Sequence, residues 1–120
     1  MTQHFDLLVI GAGSGGIAGA RRAAEYGVKT AIVEGGKLGG TCVNVGCVPK
    51  KIMWNAAHLA DAFTLAEDYG FSIKHQHFDW NGFKTRRDAY IKRLNGIYLH
   101  NLEAAGVTIF NGWACFESRN

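Results

Sequence analysis

Phe5 to Ile10 reads FDLLVI, and this apolar run breaks directly onto Gly11-Ala12-Gly13-Ser14-Gly15-Gly16. No other feature constrains the fold as tightly. A glycine spacing of G-x-G-x-x-G is weak in isolation, but it acquires meaning when a strand precedes it and a helix follows. The run before it fits a buried parallel strand, since such strands are apolar on both faces. Ser14 to Tyr26 is helix-compatible, with Ile17, Ala20 and Ala24 on one side and Arg21, Arg22 and Glu25 outward. Gly27 stands where a helix C-terminus would be capped. Lys29 to Glu34 reads KTAIVE, a second strand. Residues 5–34 are therefore expected to form one βαβ unit with a right-handed crossover.

The glycines then have separate tasks. Gly11 makes the tight turn, Gly13 lets a pyrophosphate approach the backbone, and Gly16 allows close helix–strand packing. Ser14 and Gly15 open the helix, where free N–H groups and a partial positive charge favour phosphate. Glu34, 18 residues beyond Gly16, ends the second strand. A carboxylate there accepts hydrogen bonds from a ribose diol and repels a 2′-phosphate, which favours FAD or NAD over NADP. The pattern does not choose between FAD and NAD.

Composition narrows the class. With 48% hydrophobic and 19% charged residues the chain is not disordered. Its longest uncharged stretch, Leu7 to Ala20, is 14 residues and glycine-rich, short of the roughly 20 apolar residues of a bilayer span. Asp6 interrupts the amino end where a secretory signal would need an apolar core, so a cytoplasmic setting is expected. The net charge of +3 comes in pairs such as Arg86-Arg87 and Lys92-Arg93, unlike the dense stripe of a nucleic-acid binder.

The second half of the chain predicts two long helices. One begins near Pro49, a residue tolerated at the first helical position, and runs through Ile52, Met53, Ala56, Leu59, Ala60 and Phe63. A polar break from Asp68 to His77 follows. The second runs from about Trp80 to Ala105 with Phe83, Tyr90, Ile91, Leu94, Ile97, Tyr98 and Leu102 as its apolar stripe. Gly106 would stop it, and Val107 to Phe110 reads as a strand. The last residues show no capping pattern, so the chain reads as truncated.

Between the βαβ unit and the first long helix lies Gly39-Gly40-Thr41-Cys42-Val43-Asn44-Val45-Gly46-Cys47-Val48-Pro49-Lys50-Lys51. Three cysteines in all are too few for a secreted disulfide scaffold. Cys42 and Cys47 could be structural, metal-binding or redox-active. Zinc needs four ligands, and His58, His75 and His77 lack a compact ligand spacing. A helix N-terminus and the adjacent Lys50 and Lys51 both favour thiolate. Five residues of ideal helix rise about 7.5 Å, beyond the usual disulfide Cα separation of about 4.4–6.8 Å. If the two cysteines pair, the segment between them is not regular helix, and Gly46 is the expected point of distortion. Such a pair would close a small accessible loop suited to thiol–disulfide exchange. Cys115 belongs to no motif and reads as a small core residue.

The glycine loop, Glu34 and the segment GGTCVNVGCVPKK together resemble the flavin-dependent pyridine nucleotide–disulfide oxidoreductases. The VPKK ending, the Ala20–Ala24 run and Arg87-Asp88-Ala89-Tyr90…Ile97-Tyr98 are most similar to the glutathione reductase branch. Lipoamide dehydrogenases and mercuric reductases share the cysteine pair but usually carry serine where this chain has Lys50. Trypanothione reductases keep the lysine pair but generally lack an arginine at the position of Arg21.

The resemblance implies an α/β fold, a Rossmann-like FAD-binding βαβ with two long helices, and only part of a domain. NADPH reduces FAD, the flavin reduces the cysteine disulfide, and the dithiol reduces glutathione disulfide. Cys42 would be the interchange thiol, Cys47 the charge-transfer thiol with a lowered pKa, and Lys50 a cation beside the reduced flavin. Gly11, Gly13, Ser14, Gly15, Gly16, Glu34, Gly40, Thr41, Cys42, Lys50 and Ala114 would line the FAD site. Ser14, Arg21 and Tyr98 would meet glutathione. Arg21 would otherwise be a solvated helix arginine, and Tyr98 a core residue of the apolar stripe. The NADPH-binding and dimer-interface domains are absent from these residues, so the chain alone is expected to be inactive and to hold FAD weakly. The full-length parent is expected to be a homodimer.

Overall fold

The computed structural model describes residues 2–73 and 77–118. Strand β1 (Leu7–Ile10) leads into helix α1 (Ser14–Glu25), strand β2 (Thr30–Glu34), a short helix α2 (Gly40–Asn44) and the long helix α3 (Cys47–Leu65). A 3₁₀ turn (Ala66–Tyr69), helix α4 (Trp80–Ala104) and strand β3 (Thr108–Asn111) complete it. The three strands form one parallel sheet in the order β1-β2-β3. Leu7 is in register with Thr30, and Ala31 with Thr108. The fold class is α/β, and residues 5–34 make the βαβ unit.

Helices α1 and α4 pack against each other and against the sheet. Their contact is the core: Ala12, Ile17, Ala20, Ile32, Leu102 and Val107 are buried together, with Val9, Tyr98 and Ile109 packed alongside. Burying a side chain such as Ile32 or Leu102 completely is worth about 1.5–3 kcal/mol. Both helices end on a glycine that can adopt positive φ, Gly27 at 80° and Gly106 at 76°. The next residue in each case donates back into the last turn, Val28 to the Ala23 carbonyl and Val107 to that of Leu102.

Three expectations change. β1 pairs in parallel as anticipated, but it is not buried: Leu8 and Ile10 are 52% and 57% exposed. It has a neighbour on one side only, and α1 covers only its Val9 face. Helix α3 begins at Cys47, two residues before Pro49, because the N–H groups of a helix's first turn have no intrahelical partner and a proline at its third position loses nothing. Cys115 is exposed in the coil after β3 rather than in the core, since no element folds back over it. Within the polar break, Lys74, His75 and Gln76 lie outside the described residues. No helix among the described residues is long and apolar enough to cross a membrane.

Candidate functional site

Two loops meet beyond the carboxyl ends of β1 and β2, where open parallel sheets place ligands. The first is the glycine loop. Its Gly11 N–H donates to the Val33 carbonyl at 2.8 Å, and Gly16 sits so close beneath the Gly11 carbonyl that a Cβ would collide with it. Gly13 is the N-cap of α1, and no side chain caps that end. The N–H groups of Ser14, Gly15 and Gly16 thus open a helix with no acidic residue in its first turn. Above Gly13 and Gly15 the space is open.

Glu34 ties this loop to β2. Its carboxylate accepts the Ala12 N–H at 2.6 Å and the Gly36 N–H at 2.7 Å. The same side chain borders a cleft of about 890 Å³ together with Lys37, Gly40, Thr41, Asn44 and Asn95.

The second loop carries the cysteines and is docked on the first through backbone. Gly39 N–H donates to the Ala12 carbonyl at 2.8 Å, and Gly39 forms a parallel bridge with Gly13. At Gly40 a Cβ would lie 2.9 Å from the Gly13 Cα, so only glycine permits this approach. Helix α2 presents Thr41, exposed, and Cys42, half-buried. The helix breaks at Val45 and Gly46, and α3 restarts at the exposed Cys47. A Cβ on Gly46 would stand 2.9 Å from the Thr41 carbonyl and 3.2 Å from the Cys42 Cα. The distortion expected at Gly46 is therefore what folds Cys47 back toward Cys42.

Both thiols are free. Hydrogen bonding with the Cys47 side chain, followed by desolvation, pushes the Cys42 thiol up from its ordinary value. This corrects the expectation of a thiolate-favouring environment at Cys42. One of the cations counted on is engaged elsewhere, since the Lys51 Nζ lies 4.3 Å from the centre of the Trp54 ring. Lys50 is exposed in the first turn of α3. Beside Cys47 runs a groove of about 510 Å³ lined by Lys51, Asn55, Arg86, Arg87 and Tyr90. Arg87 is held by Asp88 at 2.7 Å.

The remaining candidates are more dispersed. Arg21 is half-buried on α1 rather than solvated, and its Nε is buried without a hydrogen-bond partner. Tyr98 is partly buried against the core on α4, the helix that packs on α1. Ala114 is exposed just past Gly112, whose N–H donates to the Glu34 carbonyl at 2.8 Å. His58 stacks on Trp54, and no three metal-ligating side chains come together among the described residues.

Two residues escaped the motif reading. Asn44 lies between the cysteines, and its amide donates to the carbonyls of Gly40 (2.9 Å) and Leu38 (3.2 Å). Asn95, on α4, donates to the Leu38 carbonyl at 2.7 Å and to Asn44 Oδ1 at 3.0 Å. The available signal was an asparagine inside an apolar helical stripe, where its side chain ordinarily competes with the helix.

Comparison with known proteins bears on all of this. Residues 5–120 match the family described as pyridine nucleotide-disulphide oxidoreductase. The chain belongs to that family. It is 62% identical over 115 residues to a glutathione reductase of Yarrowia lipolytica, covering 92% of this chain and 24% of that protein. Glutathione reductases of Debaryomyces hansenii and Schizosaccharomyces pombe are 54% and 56% identical over 98% of this chain and 26% of theirs. The chain thus spans about a quarter of the length of the curated relatives it matches.

Membership in the pyridine nucleotide-disulphide oxidoreductases points the glycine loop to FAD, between the two dinucleotides it left open. The residues present fit a dinucleotide: the α1 N-terminus is uncapped, Gly13 and Gly15 face open space, and Glu34 borders the cleft.

Proposed function

We propose that this chain is the amino-terminal part of the FAD domain of a glutathione-disulfide reductase, with NADPH as the electron donor. The observation that carries the reading is the docking of the cysteine loop on the glycine loop through Gly39 and Gly40, which brings dithiol and dinucleotide cradle to one place. Gly11, Gly13, Ser14, Gly15 and Gly16 would hold the pyrophosphate, Glu34 the ribose, and Gly40, Thr41, Cys42, Lys50 and Ala114 the rest of FAD. When bound, FAD supplies two-electron exchange with a neighbouring disulfide.

The chemistry of the chain's own residues follows. Cys42, as thiolate, attacks one sulfur of glutathione disulfide; the disulfide breaks, a mixed disulfide forms and one glutathione leaves with a proton. Cys47 then attacks the Cys42 sulfur, releasing the second glutathione, and the Cys42–Cys47 disulfide closes. Two glutathiones are reduced and one dithiol is oxidised. Ser14, Arg21 and Tyr98 would contact the peptide. The half-buried Arg21 guanidinium and the cationic groove beside Cys47 both suit its carboxylates. The full-length enzyme is a cytoplasmic homodimer in this reading, and the 120-residue chain alone turns over no glutathione disulfide.

The test is stepwise two-electron reduction of the full-length, flavin-loaded enzyme followed by absorption spectroscopy. A long-wavelength thiolate–flavin band is expected in the wild type and should vanish in Cys47→Ser. Cys42→Ser should keep a band but lose disulfide reduction. A wild type without the band, or one that prefers another disulfide, would overturn the assignment.

A further inference from the structure

The two asparagines join parts of the chain that are far apart in sequence. Leu38 and Gly40 begin the cysteine loop, Asn44 sits between the two cysteines, and Asn95 is in the middle of α4. Asn44 closes the loop on itself by donating to the Leu38 and Gly40 carbonyls. Asn95 then uses both its amide hydrogens, one on the Leu38 carbonyl and one on Asn44 Oδ1. These bonds are partly buried, and they tie the cysteine loop to α4. One turn before Asn95, Ile91 is buried, which fixes the rotation of the helix at this point.

We infer that Asn95 is a positioning residue for the redox loop, holding Cys42 and Cys47 at exchange distance through Asn44. Beyond its docking at Gly39 and Gly40, little defines this loop around the cysteines: α2 is five residues long and has no side-chain cap. Amide donors satisfied at both ends restrict the loop to one arrangement, whereas an apolar residue at 95 would leave its cysteine end held only by its own bonds, with the glycine loop anchoring it at Gly39. Thiol exchange demands alignment of sulfurs, and a displacement of about 1 Å in a reacting group costs on the order of 100-fold. The same helix carries Tyr98 one turn later, so the contact proposed for glutathione and the support of the dithiol share a rigid element.

The inference rests on the redox reading of the cysteine pair but not on glutathione as substrate. It is tested in the full-length, flavin-loaded enzyme with Asn95→Ala, which suits a helix, and with Asn95→Asp, which keeps the shape but turns both donors into acceptors. Two quantities are measured: the split of kcat against KM for the disulfide substrate, and the thiol-to-disulfide buffer ratio at which Cys42–Cys47 is half oxidised. With rates taken per bound flavin, KM should hold in Asn95→Ala, kcat should fall about tenfold or more, and the buffer ratio should move about fivefold. Asn95→Asp should go further in both. Kinetics and buffer ratio within about twofold of wild type would overturn the role, as would a change confined to melting temperature. The buffer ratio reads the loop even if the enzyme proves to act on a different disulfide, so failure of that reading and failure of this one are separable.

Discussion

A thiol held beside a second sulfur parts with its proton reluctantly, and Cys42 is such a thiol. Its titration is displaced upward, first by the hydrogen bond with Cys47 and then by desolvation. The sign follows: the contact supports the fold below the ordinary thiol pKa and is lost as pH climbs through the raised value. Alkylation of Cys42 by iodoacetamide should therefore have a pH midpoint above that of a free cysteine in the same buffer. Cys47→Ala removes the partner, so the midpoint should fall and labelling near pH 8 should accelerate. An unchanged midpoint in that variant would show that the sulfurs do not share the proton. Nothing in the sequence foretold this direction. Lys50, Lys51 and a helix start all argue for thiolate, and only the geometry reveals Lys51 resting on Trp54 and the Cys47 side chain beside Cys42.

Elements were far more legible than their surroundings. The βαβ unit and the end of α4 could be read because Gly27 and Gly106 terminate helices in a way that depends on backbone alone, and because KTAIVE lies central in the sheet, where Ala31 and Ile32 are fully buried. Exposure could not be read, because apolar periodicity marks a face without saying what covers it. Met53, Leu59 and Phe63 keep helical spacing on α3 yet remain 40–54% exposed. The start of α4 illustrates a local rule that does carry over. Asp79 is its N-cap, and its side chain accepts the Gly82 N–H at 3.0 Å. Asp79→Ala should cost about 1 kcal/mol, measured as a lowered denaturation midpoint with no change in the exchange chemistry of the cysteines. A midpoint equal to wild type would mean that the cap adds nothing to this helix.

Taken as a body, the molecule is long: 68 × 27 × 22 Å, with a Cα radius of gyration of 20.7 Å, against about 14 Å for a compact chain of this length. Its accessible surface is 9174 Å², whereas a compact protein of this mass exposes about 6,400 Å². Much of the excess is apolar, with Leu59, Phe63, Phe78 and Trp80 among the open side chains. Such surface is not stable in water as a monomer's exterior. The 120-residue chain prepared alone should bind an anilinonaphthalene sulfonate dye and sediment faster than a monomer, and Leu59→Lys with Phe63→Lys should reduce both. A monodisperse, dye-silent monomer would contradict this. The bond from Gly39 to the Ala12 carbonyl, with Gly40 seated on Gly13, has a consequence for how such a protein can change. Sulfur centre and phosphate cradle are not separable modules. A mutation that reshapes either must be tolerated by both, so new chemistry can be acquired here only by altering what surrounds this joint and leaving the joint itself untouched.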